Sequence, residues 1–276
     1  MTVSVHTNSS AMIALQNLNS TNKDLEDAQL KISTGLAVSS AKDNASVYAI
    51  AQGQRADLGG LKAVTDSLNR ASSIADVSLA AGESVSDLLN QLREKVVGAM
   101  DTSIDTTSRN ALNSDYKAIL GQISHVVENA TFNGSNIIDG SLASSIQFIA
   151  NADANSVITL SVRTIALGGP IITLSAGSSI SSASGASSLL SQLDTSIDNL
   201  NANLGALGSQ AKQIEGHLSF VSKLQDSITG GIGNLVDADM AKESSRLQAL
   251  QVQQQLGTQA LSIANQSPQQ ILSLFK

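Results

Sequence analysis

Apolar side chains recur at heptad spacing at both ends of the chain. Near the N terminus Leu18, Leu25 and Ile32 follow one another every seven residues, with Leu15 and Leu36 at intervening positions. Near the C terminus a second stripe alternates steps of three and four residues, through Leu247, Leu250, Gln254, Gly257, Leu261, Ala264, Pro268 and Ile271. This spacing is typical of coiled-coil helices. Each stripe is too narrow to stabilise a lone helix in water, so we predict that the two terminal helices pair with each other.

A longer apolar stripe precedes the C-terminal one. Its members follow one another at steps of three or four residues: Leu193, Ile197, Leu200, Leu204, Leu207, Ala211, Ile214, Leu218, Val221, Gln225, Ile228, Ile232 and Leu235. So regular a run predicts a long packed helix that begins near Leu189. Because glycine weakens a helix, Gly230, Gly231 and Gly233 are expected to interrupt or bend it before the terminal helix.

The pattern between these regions predicts two more helices, at residues 57–100 and 106–130, and then shorter elements. Two runs rich in β-branched residues, 145–150 and 156–163, flank the turn-like segment 151–155 and predict a hairpin. Residues 171–174 suggest a third strand, and the Ser/Gly/Ala-rich residues 175–188 an exposed loop. The predicted fold is therefore mainly α, with long antiparallel helices in a coiled-coil-like bundle, a small β-hairpin region, and paired N- and C-terminal helices.

Charge distribution sharpens the prediction for the two ends. No Lys, Arg, Asp or Glu occurs from Met1 to Asn22, or from Leu247 to Phe275. Exposed helices usually carry interspersed charges, so a charge-free helix is expected to lie buried against neighbours. Composition alone also allows two disordered polar tails, but the heptad spacing favours helices. The chain as a whole has a net charge of -7 and no basic stripe, which argues against nucleic acid and anionic membranes as partners.

Candidate chemistry is sparse. With 0 Cys the chain has no disulfides and no zinc–thiolate site. His6, His125 and His217 lack the spacing of metal ligands, and Asp237 with Asp239 is better explained as helix capping after a glycine-rich segment. We expect no catalytic residues, no metal and no cofactor. No basic and apolar leader opens the sequence, and no run of about 18 apolar residues predicts membrane insertion.

Five segments resemble the terminal regions of bacterial flagellins. At the N-terminal end they are residues 14–21 (ALQNLNST), 32–35 (ISTG) and 40–44 (SAKDN). At the C-terminal end they are residues 236–244 (VDADMAKES) and 261–272 (LSIANQSPQQIL). The resemblance covers about the first 130 and the last 90 residues, in the family's order. The short middle resembles the small flagellins of alphaproteobacteria, which lack large outer domains.

The resemblance implies a structural subunit that leaves the cell unfolded and polymerises into an extracellular flagellar filament for swimming. It implies an inner coiled-coil domain, residues 1–44 with 236–276, which lines the lumen. Residues 45–235 would form a rod-like domain around it, with the hairpin and loop region at 131–188. The implied partners are further flagellin subunits, cap and hook-junction proteins, the type III export apparatus and a secretion chaperone. Exposed Ser or Thr residues would be O-glycosylated.

Two groups of residues follow as candidate assembly positions. The terminal seam, through which the chain would polymerise, comprises Leu15, Leu18, Leu25, Ile32, Leu247, Leu250, Leu261, Ala264 and Ile271. The rod seam, which would hold the rod-like domain together, comprises Leu193, Ile197, Leu200, Leu204, Leu207, Ile214, Leu218 and Val221. Both are expected to lie on helix–helix contacts.

Three other functions compete with this one. A hook–filament junction protein shares the terminal architecture, although the ending at residues 264–268 (ANQSP) favours flagellin. A hydrolase would need a nucleophile–base arrangement, a phosphate loop or a metal cluster, and the sequence assembles none of these. A secreted pore-forming translocator would need a long apolar hairpin, which the sequence lacks.

Overall fold

A computed structural model describes the backbone of residues 7–273 and the side chains of residues 7–266. In chain order the elements are α1 (Ser9–Thr34), α2 (Ala45–Met100), α3 (Thr106–Asn129), β1 (Ile146–Ile149), β2 (Val157–Leu160), α4 (Ala183–Val236) and α5 (Met240–Ser273). The predicted order of three helices, a hairpin and two helices is confirmed. None of these helices, within the described ranges, is long and apolar enough to cross a membrane.

The chain divides into two compact units. The terminal unit takes the chain up to Ala56 and from Ser227 onward, and the middle unit is Asp57–Asp226. Both boundaries lie inside long helices, α2 and α4. Each unit therefore combines segments that are distant in sequence.

The middle unit is built on long helices that bury many apolar side chains. Arg93 of α2 pairs with Asp194 of α4 at 2.9 Å. Gly82 of α2 lies where a Cβ would clash with Leu204 Cδ2 of α4, so the two helices are close there. Lys95 of α2 also lies 3.0 Å from Asp115 of α3. Because these ion pairs are largely exposed, the buried Leu, Ile, Val and Ala side chains supply most of the stability.

The hairpin is attached to α4 by polar contacts. β1 and β2 pair antiparallel, with Ile146 opposite Leu160 and Ile149 opposite Val157. The His217 ring of α4 lies 2.7 Å from the Ala150 carbonyl oxygen through its Nε2 atom. Phe148 and Leu160 are buried. A two-stranded sheet is marginal alone, so the helix it packs against stabilises it.

Residues 171–174, predicted as a third strand, form no strand. A single bridge joins Leu167 to Ile172. Ile172 and Leu174 are buried, and the Thr173 amide donates to Ser196 Oγ at 3.1 Å. The segment packs against α4 instead of pairing as a third strand, and this packing buries its apolar side chains.

The predicted loop at residues 175–188 is shorter and more firmly held than expected. Helix α4 already begins at Ala183. Ile180 is fully buried, and its amide donates to Asn113 Oδ1 of α3 at 2.9 Å. The Tyr116 hydroxyl bonds Ser178 Oγ at 2.8 Å. Burial raises the pKa of Tyr116, and the bond to Ser178 partly offsets that rise.

The glycines of α4 were expected to interrupt or bend the helix, and the predicted interruption is wrong. The helix continues through Gly230, Gly231 and Gly233 and ends at Val236. Ile232 and Val236 pack with Ala51 of α2 in a small cluster of buried residues. Burial of these side chains offsets the weak helix propensity of the glycines.

The start of α2 also differs from the prediction. The helix begins at Ala45, twelve residues before the predicted residue 57. The Asn44 side chain accepts a hydrogen bond from the Val47 amide at 3.2 Å, which is the geometry of a helix N-cap. The capping residue, and not the first heptad position, therefore sets the start of this helix.

Candidate polymerisation surface

Helices α1 and α5 of the terminal unit pack side by side through a small apolar cluster. Leu25, Ala28 and Leu250 are buried together, with Leu247 packed against them. All four lie on faces with heptad spacing. This cluster is thin for helices of 26 and 34 residues, so apolar burial between α1 and α5 contributes only modestly to their stability.

Polar contacts extend the pairing towards both ends of the described chain. The Asn8 side chain caps α1 by accepting from the Ala11 amide at 3.1 Å, and its Nδ2 donates to the Ala264 carbonyl oxygen at 2.7 Å. Further along, Gln254 Nε2 donates to Asn22 Oδ1 at 2.8 Å. Because Asn8 meets Ala264 while Asn22 meets Gln254, the helices run antiparallel.

The junction between α1, α2, α4 and α5 is also capped by polar groups. Gly35 ends α1 with φ 72, a left-handed conformation that favours glycine. The carboxylate of Asp43 accepts from the Ser40 and Ser39 amides, and these bonds lower the pKa of Asp43. Asp239 accepts from the Ala241 and Lys242 amides and so caps α5.

Four residues of the predicted terminal seam lie at the contact between α1 and α5: Leu18, Leu25, Leu247 and Leu250. Leu25 and Leu250 are buried, while Leu18, Ile32, Leu247, Leu261 and Ala264 are half-buried. Leu18 lies opposite Gly257, where a Cβ would come within 3.2 Å of Leu18 Cδ1. Ile271 lies outside the residues whose side chains are described.

Leu15 is placed elsewhere. Its side chain is 47% exposed and lies at the edge of the face of α1 that packs on α5. The face towards α5 passes through Ala11, Ala14 and Leu18, so Leu15 lies one position beyond it. Steps of three and four residues from Leu18 bring Ala14 and Ala28 into the stripe. Alanine is a weak signal in a sequence pattern, so these positions are easily overlooked.

The faces of α1 and α5 that turn away from each other are also apolar. Met12 and Ile13 are 67% and 60% exposed and line a shallow groove on α1 that reaches Lys23. On α5, Val252, Leu256 and Ile263 are 55%, 58% and 69% exposed. Sequence reasoning missed this second stripe, although apolar residues at steps of four and seven in a charge-free helix could have indicated it.

Exposed large apolar side chains concentrate in the terminal unit. Among the described residues thirteen such side chains are exposed, and ten belong to this unit: Met12, Ile13, Leu15, Leu30, Ile50, Leu235, Met240, Val252, Leu256 and Ile263. Monomeric proteins rarely leave apolar faces of this kind uncovered, and such faces mark sites of protein association.

The rod seam lies within the middle unit. Leu193, Leu200, Leu207, Ile214 and Val221 are buried, while Ile197, Leu204 and Leu218 are half-buried. Alternation of buried and half-buried positions is the pattern of a helix packed along one side. Gln225, the polar member of the longer apolar stripe, donates from Nε2 to Thr65 Oγ1 of α2 at 3.2 Å.

The described part of the chain offers nothing resembling a metal centre, since no group of three or more His, Cys, Asp or Glu side chains comes together there. The fold and the exposed terminal faces instead define a class of protein: a helical structural subunit that associates with other subunits. Comparison with known proteins makes the assignment specific. The bacterial flagellin N-terminal helical region matches residues 5–143, and the bacterial flagellin C-terminal helical region matches residues 190–275.

The chain belongs to the bacterial flagellin family. It is 51% identical over 276 residues to flagellin FljJ of Caulobacter vibrioides, covering 100% of this chain and 99% of that one. It is 40% identical over 287 residues to a flagellin of Brucella melitensis, covering 99% of each. Its fold is also similar to that of a putative flagellar hook-associated protein from Vibrio parahaemolyticus, with a TM-score of 0.60 over 71% of this chain and 100% of that one, at 11% identity.

Membership in this family settles the broad function. The chain is a structural subunit of the extracellular flagellar filament and not an enzyme. The comparisons extend over its whole length and match flagellins of alphaproteobacterial type, and nothing in them favours the hook–filament junction alternative.

Proposed function

We propose that this flagellin is exported unfolded and enters the filament through its terminal unit, so that swimming motility depends on that unit. In this proposal residues 1–44 and 236–276 form the inner domain that lines the lumen, and residues 45–235 form the rod-like domain around it. The terminal seam holds the two ends of one subunit together. The exposed stripes on α1 and α5 then meet neighbouring subunits.

One observation carries the proposal: the apolar faces of the terminal unit are exposed on both of its long helices. Met12 and Ile13 on α1, and Val252, Leu256 and Ile263 on α5, contact little within the chain. No charged residue occurs between Leu247 and Phe275 to keep this face in water. A face without charges loses little on desolvation, because burying a charge is the expensive step.

The same proposal assigns the other partners. In the filament this subunit would contact further flagellin subunits and hook-associated proteins. We also propose that a cap protein at the filament tip helps each arriving subunit to fold. An export apparatus and a secretion chaperone would handle the unfolded chain before that. Exposed Ser and Thr of the middle unit are proposed sites of O-glycosylation, with no residue preferred.

Replacement of Leu256 by Asp tests the role of the exposed stripe. The side chain is 58% exposed on α5 and away from the cluster of Leu25, Ala28 and Leu250, so the substitution should leave the pairing of α1 with α5 intact. In a filament it would bury an unpaired carboxylate in every subunit, which costs several kcal/mol each time. We expect secretion at the normal level and no filament.

The matched control is Val157→Asp, an exposed apolar side chain of β2 in the middle unit. We expect this variant to build filaments of near-normal length. Filaments of normal length from Leu256→Asp, counted by electron microscopy in a strain with no other flagellin, would show that this face stays in water. Abundance in sheared filaments separates the two candidate functions, because a junction protein would be only a trace component.

A further inference from the structure

The terminal unit exposes one apolar face on α1 and a different one on α5. The face on α1, the outer groove, runs from Ser9 to Lys23 and contains Met12 and Ile13. The face on α5, the outer stripe, consists of Val252, Leu256 and Ile263. At about 100° per residue, these side chains lie roughly 120–160° around their helices from Leu18 and Leu250, which join α1 to α5. The groove and the stripe therefore cannot meet within one chain.

Both faces lie in segments without charge. No Lys, Arg, Asp or Glu occurs at residues 1–22 or 247–275, so the groove is uncharged as far as its last residue, Lys23, and the stripe is uncharged throughout. A third long uncharged segment, residues 164–193, exposes no large apolar side chain among the described residues. Burying a charge without a partner is costly, so an uncharged face is covered at least cost by another uncharged face. The groove and the stripe suit each other in this respect.

The lengths and the polar groups of the two faces also agree. At 1.5 Å per residue, the groove from Ser9 to Lys23 is about 21 Å long and the stripe from Val252 to Ile263 is about 17 Å long. The apolar pair of the groove is followed by Gln16 and Asn19, and Gln259 interrupts the stripe. Side-chain amides both donate and accept hydrogen bonds, so these groups can pair across a contact where apolar side chains do not meet.

Membership in a family of filament subunits restricts how the faces can be used. The chain is a structural subunit of the flagellar filament, and a filament grows through contacts between two different faces of its subunits. A contact of stripe on stripe or groove on groove about a two-fold axis closes on itself and yields a dimer. A contact of stripe on groove leaves one free groove and one free stripe, so that further subunits can add.

We propose that the outer stripe of α5 on one subunit lies in the outer groove of α1 on a second copy of this chain. Each subunit then takes part in two such contacts, one through its groove and one through its stripe. The inference rests on the proposed function, because it assumes that both faces are covered in the filament. It adds which face covers which.

Engineered cysteine pairs test this contact without background, because the chain has 0 Cys. Ile13→Cys in the groove is combined with one cysteine along α5, at Val252, Leu256, Gln259 or Ile263. These four positions are about 4.5–6 Å apart along the helix. A disulfide needs Cα atoms within about 7 Å, so one position comes within reach wherever Ile13 meets the stripe. Filaments from a strain with no other flagellin are oxidised after assembly, and the products are separated on a denaturing gel.

At least one double variant should give a ladder of dimers, trimers and longer chains, because every subunit is then linked to two neighbours. Filaments made from a mixture of the two matching single variants should lose the ladder and give only mixed dimers, since each subunit carries one half of the pair. Each single variant alone should stay monomeric. The matched control is Ile13→Cys/Val157→Cys, with its second cysteine at an exposed apolar position of the middle unit, and it should give no ladder.

Dimers of like positions at the yield of mixed dimers, or no mixed dimers from any of the four pairs, would overturn the proposal. If a double variant fails to assemble, copolymers of the two single variants with unaltered subunits decide by the same two outcomes.

Reaction with a monofunctional maleimide separates this inference from the proposed function. If the thiols of Ile13→Cys and Leu256→Cys react as fast in filaments as in dilute subunit, both faces stay in water and the proposed function fails. If both thiols are protected in filaments but no mixed dimer forms, the two faces are covered by something other than each other, and only this inference fails.

Discussion

The terminal unit and the middle unit use apolar side chains in opposite ways. Of the forty buried apolar residues in the described chain, thirty-four lie in the middle unit and six in the terminal unit, although the terminal unit holds more than a third of the chain. Of the thirteen exposed large apolar side chains, ten lie in the terminal unit. The middle unit therefore has its own core, whereas the terminal unit leaves apolar faces exposed, as sites of protein association do.

The largest effect is expected from Leu250→Asp, which attacks the small core of the terminal unit. Leu250 is 7% exposed and packs against Leu25 and Ala28. A buried carboxylate with no partner costs several kcal/mol, so the helix pair should separate and filament growth should stop. Secretion should continue, because export is proposed to use the unfolded chain.

The middle unit provides the internal check on this variant. Its buried core does not include Leu250, so the resistance of the middle unit to protease should match that of the unaltered chain. Loss of the protease-resistant fragment in Leu250→Asp would mean that the two units are not independent in stability. Normal filaments would mean that the α1–α5 contact is dispensable.

A smaller effect is expected in the middle unit from a matched pair of glycines. A Cβ on Gly82 would clash with Leu204 Cδ2, whereas a Cβ on Gly121 of α3 would meet nothing within 4 Å. A methyl group on Gly82 must displace Leu204 Cδ2, at a cost of about 1–3 kcal/mol, and it gains up to about 1 kcal/mol of helix propensity. Gly82→Ala should therefore lower the free energy of unfolding by roughly 0–2 kcal/mol. Gly121→Ala should raise it by roughly 0.5–1 kcal/mol through better helix propensity.

Denaturant titration of the dilute subunit measures both variants. Equal shifts in the same direction would show that α2 and α4 are not tightly packed at Gly82, and would weaken the contrast between a dense middle unit and a sparse terminal unit. Opposite shifts would strengthen it.

The smallest effect concerns the cap of α3. The Asp105 carboxylate accepts from the Ser108 amide at 2.9 Å, and hydrogen bonds with Ser108 lower the pKa of Asp105 below 3.8. A carboxyl whose pKa is lower in the folded state contributes stability above its unfolded pKa and loses it as the pH falls through the folded value. Stability of the middle unit should therefore decline below about pH 3.8.

Asp105→Asn keeps a side-chain oxygen for the cap but no longer titrates, so this contribution to the acid-induced decline should disappear. Denaturant midpoints of both chains between pH 2.5 and 6 are the measurement. Parallel declines would show that the cap carboxylate does not contribute, and that other acidic residues account for the acid sensitivity.

The sequence predicted the fold class because long heptad patterns are strong signals. The stripe from Leu193 to Val221 predicted α4, and the charge-free ends predicted the paired helices α1 and α5. The helix-breaking effect of glycine was overestimated, because Gly230 and Gly231 lie inside α4. Burial of Ile232 and Val236 offsets the low helix propensity of these glycines. Residues 171–174 have strand-like composition but pack on α4, and such tertiary contacts are absent from local patterns.

The candidate site was less accessible to sequence reasoning. Heptad spacing indicates which face of α1 turns towards α5, but Leu15 lies one position away from it and is exposed. The second stripe, at Val252, Leu256 and Ile263, can be recognised as exposed only once the face of α5 that packs on α1 is known. The hydrogen bond between Asn22 and Gln254 joins residues 232 positions apart, and no local pattern predicts it.

Amide hydrogen exchange in dilute subunit and in assembled filament tests most directly whether the terminal unit depends on its neighbours. The account predicts fast exchange in residues 9–34 and 240–266 of the subunit and strong protection of the same residues in the filament, since neighbours then cover their apolar faces. Residues 57–100 and 183–226 should be protected in both states. Equal and strong protection of α1 and α5 in the dilute subunit would contradict the account.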